Sequence, residues 1–109
     1  MAIDYEAVMR VIKQYVSDVK AVMSIDKVYL YGSYAAGTAQ WDSDVDLCFF
    51  SESFANEDIT QISERLFELK RRYNKDICLE PMAFPLSEIT NDNPFVKEIL
   101  RTGSEIYTQ

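Results

Sequence analysis

Two short polar motifs lie close together in the first half of the chain. The first is Gly32-Ser33, and ten residues separate it from the second, Asp44-Val45-Asp46. Glycine lets the backbone turn sharply and approach a ligand closely, and the free N–H groups of a short helical turn over residues 33–36 would face an anion. The first motif therefore predicts a turn that holds phosphate groups.

The second motif predicts a metal site. Side chains alternate in direction along a strand, so Asp44 and Asp46 share one face while Val45 turns toward the core. Carboxylate oxygens are the ligands that Mg²⁺ prefers, and the pair suits one or two such ions. Together the motifs predict a nucleoside triphosphate with its phosphates on Gly32-Ser33 and its metal ions on the aspartates.

Two other sites with similar residues are excluded. A calcium loop that began at Asp42 would need glycine and glutamate where the chain has Leu47 and Ser53. A Walker-type phosphate loop would need a lysine after its last glycine, and neither Gly32 nor Gly37 is followed by one.

The composition narrows the chemistry further. The chain has no histidine, which excludes His-based triads and imidazole metal sites, so acid–base or metal chemistry falls on carboxylates. Eighteen acidic against 11 basic residues give a net charge of -7, which repels nucleic acids and anionic membranes. We therefore expect no direct contact with nucleic acid and none with a membrane.

Length and cysteine content predict one intracellular domain. At 109 residues the chain suits a single domain, 1–109, without a separate substrate domain. Cys48 and Cys78 lack the CxxC spacing of a metal or redox site, and no apolar run reaches the length of a membrane span. A reduced, cytoplasmic protein is expected.

The hydrophobic pattern alternates between helical and strand periods. It predicts helices over 4–23, 56–72 and 94–102, strands over 27–31, 45–50 and 76–82, and a return of Ile106 and Tyr107 to the sheet. This order indicates an α/β (α+β) fold with a small mixed sheet of three to four strands. We expect the helices mainly on one face, which leaves the other for chemistry.

The motif region resembles a known family. The run Gly32-Ser33-Tyr34-Ala35-Ala36-Gly37, followed by Ser43-Asp44-Val45-Asp46-Leu47, is similar to the signature of the minimal nucleotidyltransferases of the polymerase-β-like superfamily. The resemblance extends over nearly the whole chain, including its ending over 99–107. It implies a nucleotidyltransferase-like fold in which residues 1–109 form one minimal nucleotidyltransferase domain.

The resemblance assigns roles to individual residues. It implies that Gly32 and Ser33 hold the terminal phosphates of ATP and that Asp44 and Asp46 bind two Mg²⁺ ions. A third carboxylate from the next strand would bind metal and help to deprotonate the attacking hydroxyl. Asp76, which precedes the apolar Ile77-Cys78-Leu79, is the first choice, and Glu80 on the same strand face is the alternative.

One position departs from the family. Many relatives carry arginine before the second glycine of the signature, where this chain has Ala36. The resemblance therefore implies that triphosphate binding is weaker or that another cation contributes, either Lys27, Arg71 or Arg72 or a residue of a partner chain.

The resemblance also implies a reaction and a partner. Such enzymes move AMP from ATP to a hydroxyl, and relatives of this size often act as antitoxins of HEPN-domain ribonuclease toxins. We expect Mg²⁺-dependent adenylylation of a partner protein within a hetero-oligomer. A non-catalytic binding antitoxin and a nucleotidyltransferase for small molecules such as aminoglycosides are the alternatives.

Overall fold

The computed structural model describes residues 4–40, 42–73, 75 and 77–109. The main elements, in chain order, are α1 (Tyr5–Val22), β1 (Lys27–Tyr31), α2 (Ser33–Ala36), β2 (Val45–Ser51), α3 (Ile59–Lys70), β3 (Leu79–Pro85), α4 (Pro94–Thr102) and β4 (Ser104–Thr108). Short 3-10 helices cover Glu52–Asn56, Arg71–Tyr73 and Leu86–Ile89.

The long helices begin at side chains that cap them. Asp4, Asp58 and Asn93 each accept a hydrogen bond from a backbone N–H of the first turn, which satisfies a donor that the helix leaves unpaired. Pro94 follows Asn93 at the first helical position, where its fixed φ fits and its missing N–H costs nothing. The three predicted helices are thus confirmed.

The four strands form one mixed sheet in the order β3-β2-β1-β4. β1 pairs antiparallel with both β2 and β4, whereas β2 and β3 run parallel. The predicted α/β class and the return of the chain end to the sheet are confirmed.

The third strand lies further along the chain than predicted. It spans Leu79–Pro85 instead of 76–82, so Pro81 lies within the strand and Pro85 is its last residue. A proline removes a backbone donor and is tolerated at an edge, and β3 is an edge of this sheet.

Apolar side chains pack on both faces of the sheet. One face carries the larger core, in which α1 and α3 cover Val28, Leu47 and Phe49. On the opposite face, Val96 and Ile99 of α4 pack on Cys48 and Phe50. The expected free face is therefore partly covered by α4, and its remainder carries the polar residues described below.

No helix in the described part of the chain combines the length and the apolar character that a membrane span requires.

Candidate active site

Three carboxylates come together where β2 and β3 begin. Asp44 lies directly before β2, Asp46 is its second residue, and Glu80 is the register partner of Asp46 on the parallel β3. Ligand atoms of Asp44, Glu80 and Cys78 all lie within 4.8 Å of one another. The spacing of Asp44 and Asp46 brings both to the sheet face that carries α4, as alternation requires.

The end of β1 closes one side of this cluster. Gly32 has φ +74°, and a β-carbon there would lie 2.3 Å from Oδ2 of Asp46. Only glycine allows both this backbone conformation and this close approach. Ser33 then begins the four-residue helix α2, and Gly37 follows it as the C-cap with φ +76°.

Asp46 is the carboxylate whose proton affinity this environment raises. The pKa of Asp46 is raised, first by burial and then by the charges of Asp44 and Glu80. The pKa of the neighbouring Tyr31 hydroxyl is also raised, by burial and by the charges of Asp46 and Glu80. A cluster of repelling carboxylates is stabilised when a cation binds among them.

The donor set fits Mg²⁺. Asp44, Asp46 and Glu80 provide the oxygen ligands that this ion requires. Cys78 lies beside them, with Sγ 3.5 Å from Oε1 of Glu80. Partial desolvation, followed by hydrogen bonds to Asp44 and Glu80, raises the pKa of the Cys78 thiol to about 11, so the thiol is neutral near pH 7.

The predicted third carboxylate, Asp76, lies outside the described residues, and its role stays a prediction. The alternative, Glu80, lies beside Asp46 and Asp44. The sequence alone did not decide between Asp76 and Glu80. The third strand was expected to begin at Asp76, and the residue of that strand that lies beside Asp46 depends on where the strand begins.

Two of the cations expected to compensate for Ala36 form ion pairs elsewhere. Nζ of Lys27, at the other end of β1, lies 3.6 Å from Glu105. The guanidinium of Arg72 lies 3.6 Å from Asp18 of α1. Arg71 is exposed in the 3-10 helix after α3.

A different cation reaches the cluster. Nζ of Lys70 lies 3.8 Å from Oε1 of Glu80, although Lys70 belongs to α3 on the other side of the sheet. Only the short connection from α3 to β3, nine residues from Lys70 to Leu79, signals this contact in the sequence.

The sequence is similar to a known family and to a named relative. A family described as polymerase beta nucleotidyltransferase matches residues 11–109. A relative from Methanocaldococcus jannaschii, named “Putative protein adenylyltransferase”, is 24% identical over 103 residues, which cover 91% of this chain and 98% of the relative.

Two solved structures share the fold. One is a crystal structure described as a “putative nucleotidyltransferase” from Sulfolobus solfataricus, with a TM-score of 0.57 and 16% sequence identity. The match covers 92% of this chain and 79% of the chain in that structure. The other is a crystal structure of a toxin-antitoxin with AMP-PNP, with a TM-score of 0.61 and 17% sequence identity. The match covers 92% of this chain and 73% of the chain in that structure.

Proposed function

The chain belongs to the polymerase beta nucleotidyltransferase family, and we propose that it transfers AMP from ATP to a hydroxyl group of a partner protein. Membership makes it a nucleotidyltransferase. The proposal adds the nucleotide, the metal and the acceptor, and it treats residues 1–109 as one minimal nucleotidyltransferase domain in the cytoplasm.

One observation carries the proposal. The register pairs Asp46 with Glu80, and Gly32 approaches the Asp46 carboxylate so closely that no side chain fits between them. The predicted phosphate turn and the carboxylates thus meet at one point of the sheet. A phosphate group held there lies next to oxygen ligands for a divalent cation.

Each residue has a role in the proposed site. Asp44 and Asp46, with Glu80 or Asp76 as the third carboxylate, would hold two Mg²⁺ ions. The position of Glu80 beside Asp46 favours Glu80 for this role. Gly32 and Ser33 would hold the terminal phosphates of ATP. Bound Mg²⁺ supplies Lewis-acid stabilisation of the charge on the transferring phosphate.

The transfer step is an in-line displacement. The acceptor oxygen forms a bond to the α-phosphorus of ATP as the bond from that phosphorus to the β-phosphate bridging oxygen breaks, and pyrophosphate leaves. The hydroxyl proton passes to the third carboxylate. Acceptor and ATP thus become the AMP ester, pyrophosphate and one proton.

The acceptor is proposed to be a protein for two reasons. The relative from M. jannaschii carries the name of a protein adenylyltransferase, and a structure that shares the fold is part of a toxin-antitoxin. The net charge of -7 also disfavours a nucleic-acid acceptor. We propose a HEPN-domain ribonuclease toxin as the partner, with which the chain forms a hetero-oligomer and acts as antitoxin.

Intact mass spectrometry of the co-expressed HEPN partner tests this function. We expect the partner to gain mass in steps of one AMP, and to gain none when it is co-expressed with the Asp44→Asn variant. Neutralisation without a mass change, in wild type and variant alike, would leave a non-catalytic antitoxin. If no complex forms, the small-molecule nucleotidyltransferase becomes the better interpretation.

A further inference from the structure

Lys70 is the last residue of α3, and its ammonium group lies beside the carboxylate cluster. Its Nζ donates a 2.7 Å hydrogen bond to the carbonyl of Leu79 and lies 3.8 Å from Oε1 of Glu80. We propose that Lys70 is a positioning residue that holds Glu80 in place as the third metal-binding carboxylate. This inference rests on the proposed role of Glu80.

The surroundings of Lys70 are those of a fixed side chain. Its side chain is 12% exposed, whereas that of its partner Glu80 is 40% exposed. Its Nζ also lies 4.6 Å from the ring centroid of Phe67, one turn earlier in α3. A lysine that served only solubility would extend into water, because burying an ammonium group costs free energy unless it is paired.

The contacts act at the point where β3 begins. β3 is an edge strand, so among the residues that the structure describes no strand pairs with the outer side of its backbone. The ammonium group of Lys70 binds the carbonyl of Leu79, the first residue of the strand and the one before Glu80. It therefore links the end of α3 to the segment that orients the Glu80 side chain.

Charge adds to this effect. Asp44, Asp46 and Glu80 lie close together and repel one another when they are ionised. The positive charge of Lys70 next to Glu80 offsets part of this repulsion and keeps the carboxylate directed into the cluster in the absence of metal. A ligand that is already oriented binds a cation more tightly.

A double-mutant cycle of Lys70→Met and Glu80→Gln tests the inference. The methionine keeps most of the aliphatic stem and removes the charge and the donor, including the ammonium group over Phe67. Affinity for Mn²⁺, followed by the EPR signal of the free ion, is measured together with AMP transfer to the co-purified partner. If Lys70 orients Glu80 for metal binding, Lys70→Met should weaken Mn²⁺ binding and slow transfer by about 10-fold or more.

The cycle separates positioning through Glu80 from a general structural effect. In the Glu80→Gln background, Lys70→Met should cause no further loss of Mn²⁺ affinity or of transfer. Lys20→Met is the matched control, because Nζ of Lys20 also lies over an aromatic ring, that of Tyr107, at 3.9 Å. It should leave Mn²⁺ affinity unchanged.

Two results would overturn the positioning role of Lys70 while leaving the proposed role of Glu80 intact. One is full Mn²⁺ affinity and transfer in Lys70→Met while Glu80→Gln loses both, and the other is an equal loss from Lys70→Met in both backgrounds. If Glu80→Gln itself changes nothing, the proposed third carboxylate is wrong as well. Lys70→Gln, which keeps a donor for the Leu79 carbonyl and removes the charge, gives the same comparison if Lys70→Met does not fold.

Discussion

A β-carbon on Gly32 would lie 2.3 Å from Oδ2 of Asp46, closer than any real contact of a carbon and a carboxylate oxygen. The glycine of the first motif is therefore required by the aspartate of the second. Ten residues separate the two motifs, and the antiparallel pairing of β1 with β2 brings Gly32 to Asp46, since Tyr31 is the register partner of Asp46.

Gly32→Ala is predicted to damage the site, whereas Gly37→Ala is its matched control. Both glycines have positive φ, but a β-carbon at Gly37 would meet no atom of the described residues within 4 Å. Gly37→Ala should cost only backbone strain, about 1–2 kcal/mol, and keep Mn²⁺ binding. Gly32→Ala should lower the free energy of unfolding further and also weaken Mn²⁺ binding, because it displaces the Asp46 carboxylate.

Thermal unfolding and Mn²⁺ titration of the two variants make this comparison. Equal effects of the two substitutions on Mn²⁺ affinity would mean that Gly32 does not shape the metal site.

Asp46→Asn is predicted to abolish AMP transfer and to leave the fold as stable or slightly more stable. The raised pKa of Asp46 shows that its ionised form is disfavoured in the folded chain, first by burial and then by Asp44 and Glu80, so a neutral isostere relieves that cost. Loss of several kcal/mol of charge stabilisation corresponds to a transfer rate lower by about 100-fold or more.

The measurements are transfer to the co-purified partner and the midpoint of thermal unfolding. A variant that keeps its activity would contradict the metal-binding role of Asp46, and one that unfolds more easily would contradict the predicted relief of charge repulsion.

The third carboxylate is tested by comparing Glu80→Gln with Asp76→Asn. The group that accepts the hydroxyl proton should affect turnover far more than ATP affinity, because it acts on the acceptor rather than on the triphosphate. The register of Glu80 with Asp46 predicts the larger loss of turnover for Glu80→Gln. A larger loss for Asp76→Asn would assign the role to Asp76, as the resemblance to the family first implied.

Local patterns predicted the elements well and the site in part. The spacing of Asp44 and Asp46 fixes their common face, and the cap residues fix the helix ends, because both depend on near neighbours in the chain. The bounds of β3 were shifted, because the position of a proline-containing strand depends on its place at the sheet edge. The approach of Lys70 to Glu80 depends on how α3 packs against β3, which the periodicity of neither element encodes.

Alkaline pH is predicted to destabilise the fold through its tyrosines. Burial, and then a hydrogen bond to Asp18, raises the pKa of Tyr73 to about 12, and burial also raises the pKa of Tyr15, whose hydroxyl donates to the Leu66 carbonyl. A raised pKa in the folded state contributes stability that is complete below about pH 10, the ordinary tyrosine value, and is lost as pH rises toward the folded-state value.

Chemical unfolding at pH 7 and pH 11 checks this prediction. Tyr73→Phe should lower the free energy of unfolding by about 1 kcal/mol at pH 7, through the lost hydrogen bond to Asp18, and by less at pH 11. An equal loss at both pH values would mean that Tyr73 does not contribute to the alkaline transition.

The most direct test of the proposed reaction follows the two ends of ATP separately. The chain and its co-purified HEPN partner are incubated with Mg²⁺ and ATP labelled on either the α- or the γ-phosphate. Transfer of AMP predicts that the α-label becomes bound to protein while the γ-label is released as pyrophosphate, and that neither occurs with Asp46→Asn. Protein-bound γ-label, or α-label bound equally by wild type and Asp46→Asn, would contradict the proposal.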